Sequence, residues 1–297
     1  MSVPAARPTA TRGVVALPTV VVPVFNALEA LDACLGALDR TLPAGVRVHL
    51  ADDASTDPRV PALLEDWRRR TRLEVSHVRR AANLGFPGNC NAAFAETGDA
   101  DVVLLNADTE PAGEWLERLA ACAASDTRIA TATPWSNNGE IVSYPLFVSP
   151  NPLPDDPGTL ALAATRYPPA YPELPTAVGF CMYLRRAALR AIGGFDAETF
   201  GKGYGEENDW CLRAEAHGWR HVLCDDAYVA HRGHASFAPT GHAPGGENLR
   251  RLNARWPGYN ERIARFILDD PLRGARARLD EGLAMLAAGS PQGDLFR

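Results

Sequence analysis

The strongest constraint on the fold of this chain is an alternation. Through residue 135, β-branched runs and helically spaced segments follow one another without a break. "TVVVPVFN" (19–26) reads as a strand, "ALEALDACLGALDR" (27–40) as a helix, and "VRVHLADD" (46–53) as a second strand. In "STDPRVPALLEDWRRR", Asp57 and Pro58 supply an N-cap and a first helical position, so another helix follows at once. "LEVSHVRR", "PGNCNAAFAETG", "DVVLL", "PAGEWLERLAACAAS" and "RIATAT" continue the series as strand, helix, strand, helix and strand. This order predicts right-handed crossovers and an α/β domain whose mostly parallel central sheet carries helices on both faces. Ligands of such sheets bind beyond the carboxyl ends of the strands. Here those ends carry Asn26, Asp52, Asp53, Asn83, Asn106 and Asp108, so short polar residues collect on one rim.

At 297 residues and 46% apolar, the chain is long enough to bury a large core. A net charge of −6 and a pI near 5.7 argue against a nucleic-acid partner, which needs an exposed basic surface. Lys202 is the only lysine, which excludes a phosphate-cradling Gly-Lys-Ser/Thr loop. The six cysteines (Cys34, Cys90, Cys122, Cys181, Cys211, Cys224) form no Cys-x-x-Cys pair, and most stand among apolar residues. They point to a reducing compartment and a cytoplasmic setting rather than to a disulfide framework or a zinc knuckle. "GVVALPTVVVPVF" contains Pro18 and Pro23 and lacks a small-x-small cleavage site, so it reads as leader plus first strand. No run reaches the roughly 18 apolar residues of a membrane helix.

The expected division is a flexible leader (1–17), a main domain (18–237) and a C-terminal helical extension (238–297). The main domain splits at 135/136. From 140 to 175 the Pro-rich pattern predicts an irregular loop. Beyond it follow the strand "TAVGFCMYL", the short helix "RRAALRAI", the loop "ETFGKGYG", the helix "EENDWCLRAEAHG" and a strand pair around "RHVLCDDAYVAH".

Four clusters can carry chemistry, and each has a structural alternative. Asn106 and Asp108 flank Ala107 at a strand end, where Asp108 can ligate Mg²⁺ or Mn²⁺ and Asn106 offers a neutral oxygen; equally, Asp108 can cap the next helix. Asp52 and Asp53 can accept hydrogen bonds from a base or ribose, or serve the turn "DDASTD". Glu206, Glu207 and Asp209 occupy a first helical turn, where a carboxylate is a candidate general base; they also suit the helix dipole, and Asp209 can pair with Arg213. Gly201, Gly203 and Gly205 make the approach to that helix adaptable. His231 ends an apolar strand, with His234 nearby, and can complete a metal site or be structural. His217, His221 and His242 read as surface residues. The arginines of the extension (Arg250, Arg251, Arg255, Arg262, Arg265, Arg273, Arg276, Arg278) read as a solvated face, with contact to anionic lipid as the alternative.

The order "VVVPVFN", "ADDASTD", "NLGFPGNCN", "LLNADTE", "GFCMYLRRAALRAIGGFD", "GYGEENDWCLR" and a strand ending in His231 resembles the family 2 glycosyltransferases, inverting nucleotide-sugar enzymes with the GT-A fold. The likeness is greatest to the bacterial rhamnosyltransferase-like branch and spans roughly 18 to 237. It implies that Pro23, Phe25 and Asn26 line a nucleotide pocket, that Asp53 hydrogen-bonds the base, and that Asn83 and Gly85 lie beside it. Asp108 matches the second acid of the family's Asp-x-Asp signature, Asn106 replaces the first, and His231 matches a late metal or phosphate contact. Glu207 falls where the family has the Asp of its Glu-Asp motif, the base that activates the acceptor.

The resemblance therefore implies a hexosyltransferase-type enzyme with a Mg²⁺ or Mn²⁺ cofactor, acting in cell-surface polysaccharide or glycoconjugate synthesis. Its partners would be a nucleotide-diphosphate sugar and a carbohydrate or lipid-linked acceptor, with room for peripheral contact with the inner membrane face and for a homodimer. Residues 18–135 would form the nucleotide-binding half and 136–237 the acceptor half. Trp135, Glu206 and Asp209 are the expected acceptor contacts, together with the Pro-rich segment 145–175. The rival readings are a sugar-phosphate nucleotidyltransferase, disfavoured because no Gly-rich loop with Arg and Lys follows the first strand, and a non-catalytic nucleotide- or carbohydrate-binding homologue. A dinucleotide oxidoreductase lacks its G-x-G-x-x-G.

Overall fold

A computed structural model describes residues 16–233 and 246–289. The leader up to residue 15, the 237/238 boundary, His234 and His242 lie outside the described residues.

The alternation folds as β1 (Thr19–Val24), α1 (Leu28–Thr41), β2 (Arg47–Asp52), α2 (Arg59–Arg70), β3 (Glu74–Arg79), α3 (Gly85–Glu96) and β4 (Val102–Leu105). These strands stand in the order β3-β2-β1-β4 and pair in parallel, as their helical crossovers require. Val20, Val22 and Val24 face one core layer with Leu35, Leu64 and Trp67, while Val21 faces the other with Cys90 and Phe94. A strand buried on both faces is apolar at every position, which is why β1 and β4 read as unbroken runs. Burying one such leucine contributes about 1.5–3 kcal/mol. α2 begins one residue later than expected: Pro58 is its N-cap, and the Asp57 carboxylate accepts from the Arg59 amide at 2.9 Å.

The second half departs from simple winding. β5 (Thr109–Pro111), α4 (Trp115–Ser125) and β6 (Ile129–Trp135) are followed by a 3₁₀ turn (Glu140–Val142), α5 (Pro157–Ala164) and β7 (Cys181–Leu184). Then come α6 (Arg186–Ile192), α7 (Ala197–Phe200), α8 (Glu206–Ala216) and β8 (Arg220–His231). β7 enters antiparallel to both β4 and β6, and β8 is one continuous strand rather than a pair. It runs parallel to β6 and antiparallel to the short β5, completing the order β3-β2-β1-β4-β7-β6-β8-β5. The Pro-rich segment also holds a helix, α5, where Asp156 accepts from the Gly158 amide and Pro157 opens the first turn.

The extension comprises α9 (Glu247–Arg255), α10 (Tyr259–Asp269) and α11 (Arg273–Gly289). Several of its arginines are fasteners rather than a solvated face. Arg255 reaches Asp196 at 2.8 Å and Asp209 at 3.0 Å, Arg278 reaches Asp225 at 2.9 Å, and Arg276 lies 4.3 Å over the Phe147 ring. Gly282 of α11 passes so close to α5 that a Cβ there would stand 2.5 Å from the Ala163 carbonyl oxygen. His221 is a further correction. Its place on β8 buries it between Thr131 (2.7 Å) and the Cys211 carbonyl (2.9 Å), and burial pushes its pKa down to about 4. His217 is exposed, as expected.

Candidate active site

The loops that leave β1, β2 and β3 are tied together by the polar residues of the rim. Asn26, at φ 56°, accepts from the Thr56 and Asp57 amides at 2.8 and 2.9 Å, which fixes the β2–α2 loop against the end of β1. Asp52 is fully buried and spends both oxygens on structure, one on the Ser55 amide and one on Arg79, each at 2.8 Å. Asp53 accepts from the Leu84 amide at 2.7 Å, and Asn83 donates to the Asp53 carbonyl at 3.2 Å. Burial raises the Asp53 pKa against the opposing pull of the Leu84 and Gly85 amides. Pro23 and Phe25 are partly exposed beside these loops. The six residues expected to face a nucleotide thus share one end of three neighbouring strands.

The end of β4 builds the next station. The Asn106 amide donates to Phe180, its carbonyl accepts from Thr109, and its Oδ1 is buried with no hydrogen-bond partner. Because Thr109 of β5 pairs with His231 of β8, Asp108 is carried to the His231 ring, with Oδ1 3.3 Å from Nε2. The imidazole is held in place: it stacks on Phe180 with centroids 5.3 Å apart, and its Nδ1 lies 2.7 Å from the Asn138 carbonyl. A carbonyl only accepts, so Nδ1 carries a proton. Nε2 therefore faces a carboxylate oxygen and needs either a second proton or a cation between them. Burial, the largest influence on this ring, works against the charged form, but the Asp108 carboxylate and the Asn138 carbonyl outweigh it and raise the pKa.

Among the described residues no three His, Cys, Asp or Glu side chains converge on a ready-made metal site. Mg²⁺ and Mn²⁺ do not require one, since they commonly take one or two protein ligands and complete their shell with substrate phosphates and water. The buried, partnerless Oδ1 of Asn106, two residues before Asp108, and the Asp108–His231 pair are donors of the kind such an ion takes.

Across the cleft, α8 opens with Glu206 and Glu207. Glu206 is 3% exposed, its Oε2 has no partner, and burial followed by the Glu207 charge raises its pKa well above the usual range. Burial and then the charge of Glu140 push Glu207 up to about 7, although backbone amides at the helix start stabilise its carboxylate. Glu140 keeps an exposed surface while protein crowds its carboxyl, and that burial raises its pKa too. Tyr204 joins the two sides: after burial, the charges of Glu206, Asp108, Glu207 and Glu140 raise its pKa. Geometry brings the two sides together as well: a Cβ at Gly179 would stand 3.8 Å from Glu207 Cγ, and the next residue, Phe180, stacks on the His231 ring that meets Asp108. If Glu207 is the base, transfer should fall about tenfold for each pH unit below 7 and level off above it. Initial rates across the range check this, and an acid limb in the ordinary carboxylate range would contradict it.

Two expected acceptor contacts are corrected. Trp135 is fully buried, donating to the Asp225 carbonyl at 3.2 Å and packing edge-on to Tyr144. Asp209 is fully buried too, with Arg213 at 2.8 Å, Arg255 at 3.0 Å and the Trp256 ring N–H at 2.9 Å, so it ties α8 to the extension. Sequence reasoning passed over Glu140, Tyr204 and Asn137. Asn137 accepts from the His231 amide at 2.8 Å and donates to the His231 carbonyl at 3.0 Å. The stretch "SNNGE" after β6 is the signal that could have found it, a run of polar residues directly after a buried strand.

Residues 19–193 match the model of glycosyl transferase family 2. The N-acetylglucosaminyl-diphospho-decaprenol L-rhamnosyltransferase of Mycobacterium tuberculosis (strain CDC 1551 / Oshkosh) is 26% identical over 225 residues, 68% of this chain and 71% of that protein. Among solved structures, GalNAc-T7 with UDP, GalNAc and Mn²⁺ superposes with a TM-score of 0.61 at 15% identity, covering 90% of this chain. This chain spans 54% of that one. Staphylococcus aureus TarS 1-349 with UDP-GlcNAc gives 0.55 at 17% identity, covering 93% of this chain and 74% of that one. The Pyrobaculum calidifontis mannosyltransferase PcManGT with GDP-Man and Mn²⁺ gives 0.53 at 17%, covering 95% and 80%. At these identities the structural likeness speaks for the GT-A fold.

Proposed function

The chain belongs to glycosyl transferase family 2 and is a glycosyltransferase, and from that premise we propose that it moves a hexosyl group from a nucleoside-diphosphate sugar to an acceptor hydroxyl with inversion. The observation that carries this reading is that residues 179–180 are shared, with Gly179 against Glu207 and Phe180 stacked on the His231 ring that meets Asp108. Residues 18–135 supply the donor side, with Pro23, Phe25, Asn26, Asp53, Asn83 and Gly85 around the nucleotide. Residues 136–237 supply the acceptor side, with Glu206 beside the base, and the helices of 246–289 brace that half through Asp196, Asp209 and Asp225.

Asp108, His231 Nε2 and Asn106 Oδ1 would hold Mg²⁺ or Mn²⁺, whose chemistry here is to act as a Lewis acid on the departing diphosphate. Glu207 takes the proton of the acceptor hydroxyl as its oxygen bonds to the anomeric carbon. The bond from that carbon to the diphosphate oxygen breaks, and the electron pair leaves with the diphosphate. Burial, and after it the charge of Glu140, keeps the Glu207 proton affinity high enough to work near neutrality.

A lipid-linked diphosphate acceptor, which the mycobacterial relative's name states for that protein, fits one more feature. The loop after Tyr144 exposes Leu146 (63%), Val148 (40%) and Leu153 (37%) and is tied to the site through Asn151 and Asn137. No helix among the described residues is long and apolar enough to cross a membrane.

The test is a panel of UDP-, GDP- and dTDP-hexoses with Mn²⁺. One class is expected to release its nucleoside diphosphate slowly without acceptor and, with acceptor, to give a product of inverted anomeric configuration by NMR. Retention of configuration would contradict the single-base mechanism. Binding without any release would favour the non-catalytic homologue.

A further inference from the structure

The nucleotide-facing loops and the acid-bearing helix α8 are joined by residues 201–205, "GKGYG". The loop is buttressed at both ends. A Cβ at Gly85 would stand 2.5 Å from the Gly201 carbonyl oxygen and 3.4 Å from the Lys202 Cα, so Lys202 lies against the turn that opens α3. On the other side, Asn248 of α9 donates to the Phe200 and Gly203 carbonyls at 2.9 and 2.8 Å. Tyr204, two residues on, is raised by the charges of Asp108 and Glu207. The loop thus runs from the nucleotide turn, where Lys202 lies exposed, to the first residue of the acid-bearing helix α8.

Charge sharpens the point. Asp53, Asp108, Glu140, Glu206 and Glu207 make the site acidic, and the one His among its residues, His231, faces Asp108 at 3.3 Å, whereas the donor's diphosphate is an anion. The arginines at neighbouring strand ends are engaged: Arg79 with Asp52 at 2.8 Å, Arg80 with Glu96 at 2.5 Å and Arg232 with Glu110 at 2.6 Å. Among the described residues Lys202 has no acid within ion-pair distance.

We infer that Lys202 is a donor-binding residue whose ammonium group pairs with the diphosphate of the nucleotide sugar, held over it by the Gly201–Gly205 loop. A compact cation with freely rotating donors on a flexible stem suits an anion that changes shape as it leaves. This deepens the proposed function and rests on it.

Lys202 is the only lysine of the chain, so amine acylation reports on it directly. The protein is treated with an acetyl N-hydroxysuccinimide ester, and peptide mass spectrometry separates Lys202 from the N-terminal amine. UDP, GDP and dTDP, each with Mn²⁺, are compared with UMP, GMP and dTMP. The diphosphate that raises the melting temperature is expected to slow Lys202 acylation about tenfold or more, as its charge-assisted hydrogen bond implies, while the matching monophosphate leaves it nearly unchanged. In titrations Lys202→Gln should bind that diphosphate about 10- to 100-fold more weakly, with monophosphate affinity kept and Lys202→Arg largely restoring the loss. Acylation unaffected by bound diphosphate, equal protection by the monophosphate, or a Lys202→Gln variant that binds like the parent would each overturn the assignment while leaving the donor site intact. If no diphosphate stabilises the parent, the donor-site reading falls and this assignment with it.

Discussion

Glu207→Gln is expected to lower glycosyl transfer by about 10²- to 10⁴-fold, the usual worth of a general base, while nucleoside-diphosphate binding stays within about twofold. Gln keeps the shape of the side chain and an oxygen for the backbone amides of Gly205, Glu207 and Asn208, which stabilise the carboxylate in the parent. The side chain also keeps its bed, since a Cβ at Gly179 would stand 3.8 Å from Glu207 Cγ. What is lost is the ability to take a proton. The fall should therefore appear in turnover and not in affinity, and initial rates beside a binding titration separate the two. A Gln variant with parental turnover would remove Glu207 from the mechanism.

Asp108→Asn is the second large effect, and it should appear in binding. Outer-shell partners of metal ligands already change affinity by 10- to 100-fold, so if Asp108 ligates the ion as proposed, its loss should weaken Mn²⁺-dependent diphosphate binding by about 100-fold or more. Asn preserves the side-chain volume, and the backbone bond from the Arg232 amide to the Asp108 carbonyl at 2.9 Å is untouched, so the β5–β8 pairing should hold. An Asn variant whose metal dependence matches the parent would assign the cation elsewhere.

The parallel half of the sheet was legible because its signals are local. The run "TVVVPVFN" and the capping pair Asp57-Pro58 specify β1 and the start of α2 from a few adjacent residues. The same holds for Asn106 and Asp108, since a strand that stops abruptly must deliver its end residues to the rim. What escaped depends on partners distant in sequence. Asp209 lies in the same acidic turn as Glu207, and only its contacts with Arg255 and Trp256, from another helix, make it structural. Trp135 sits on β6 where the register with β8 shifts, and burial there follows from that pairing. Glu140 reaches the cleft through a turn in which it adopts φ 49°, a conformation that its own residue type does not announce. His221 and β7 follow the same rule, because burial and strand direction were set by the route of the chain between residues 136 and 180.

The most direct test of the central claim is to titrate one nucleoside diphosphate into Glu207→Gln and Asp108→Asn side by side, with and without Mn²⁺. The two-acid account predicts that Mn²⁺-dependent binding persists in the first variant, whose transfer falls, and is lost in the second. Loss of binding in both, or in neither, would contradict it.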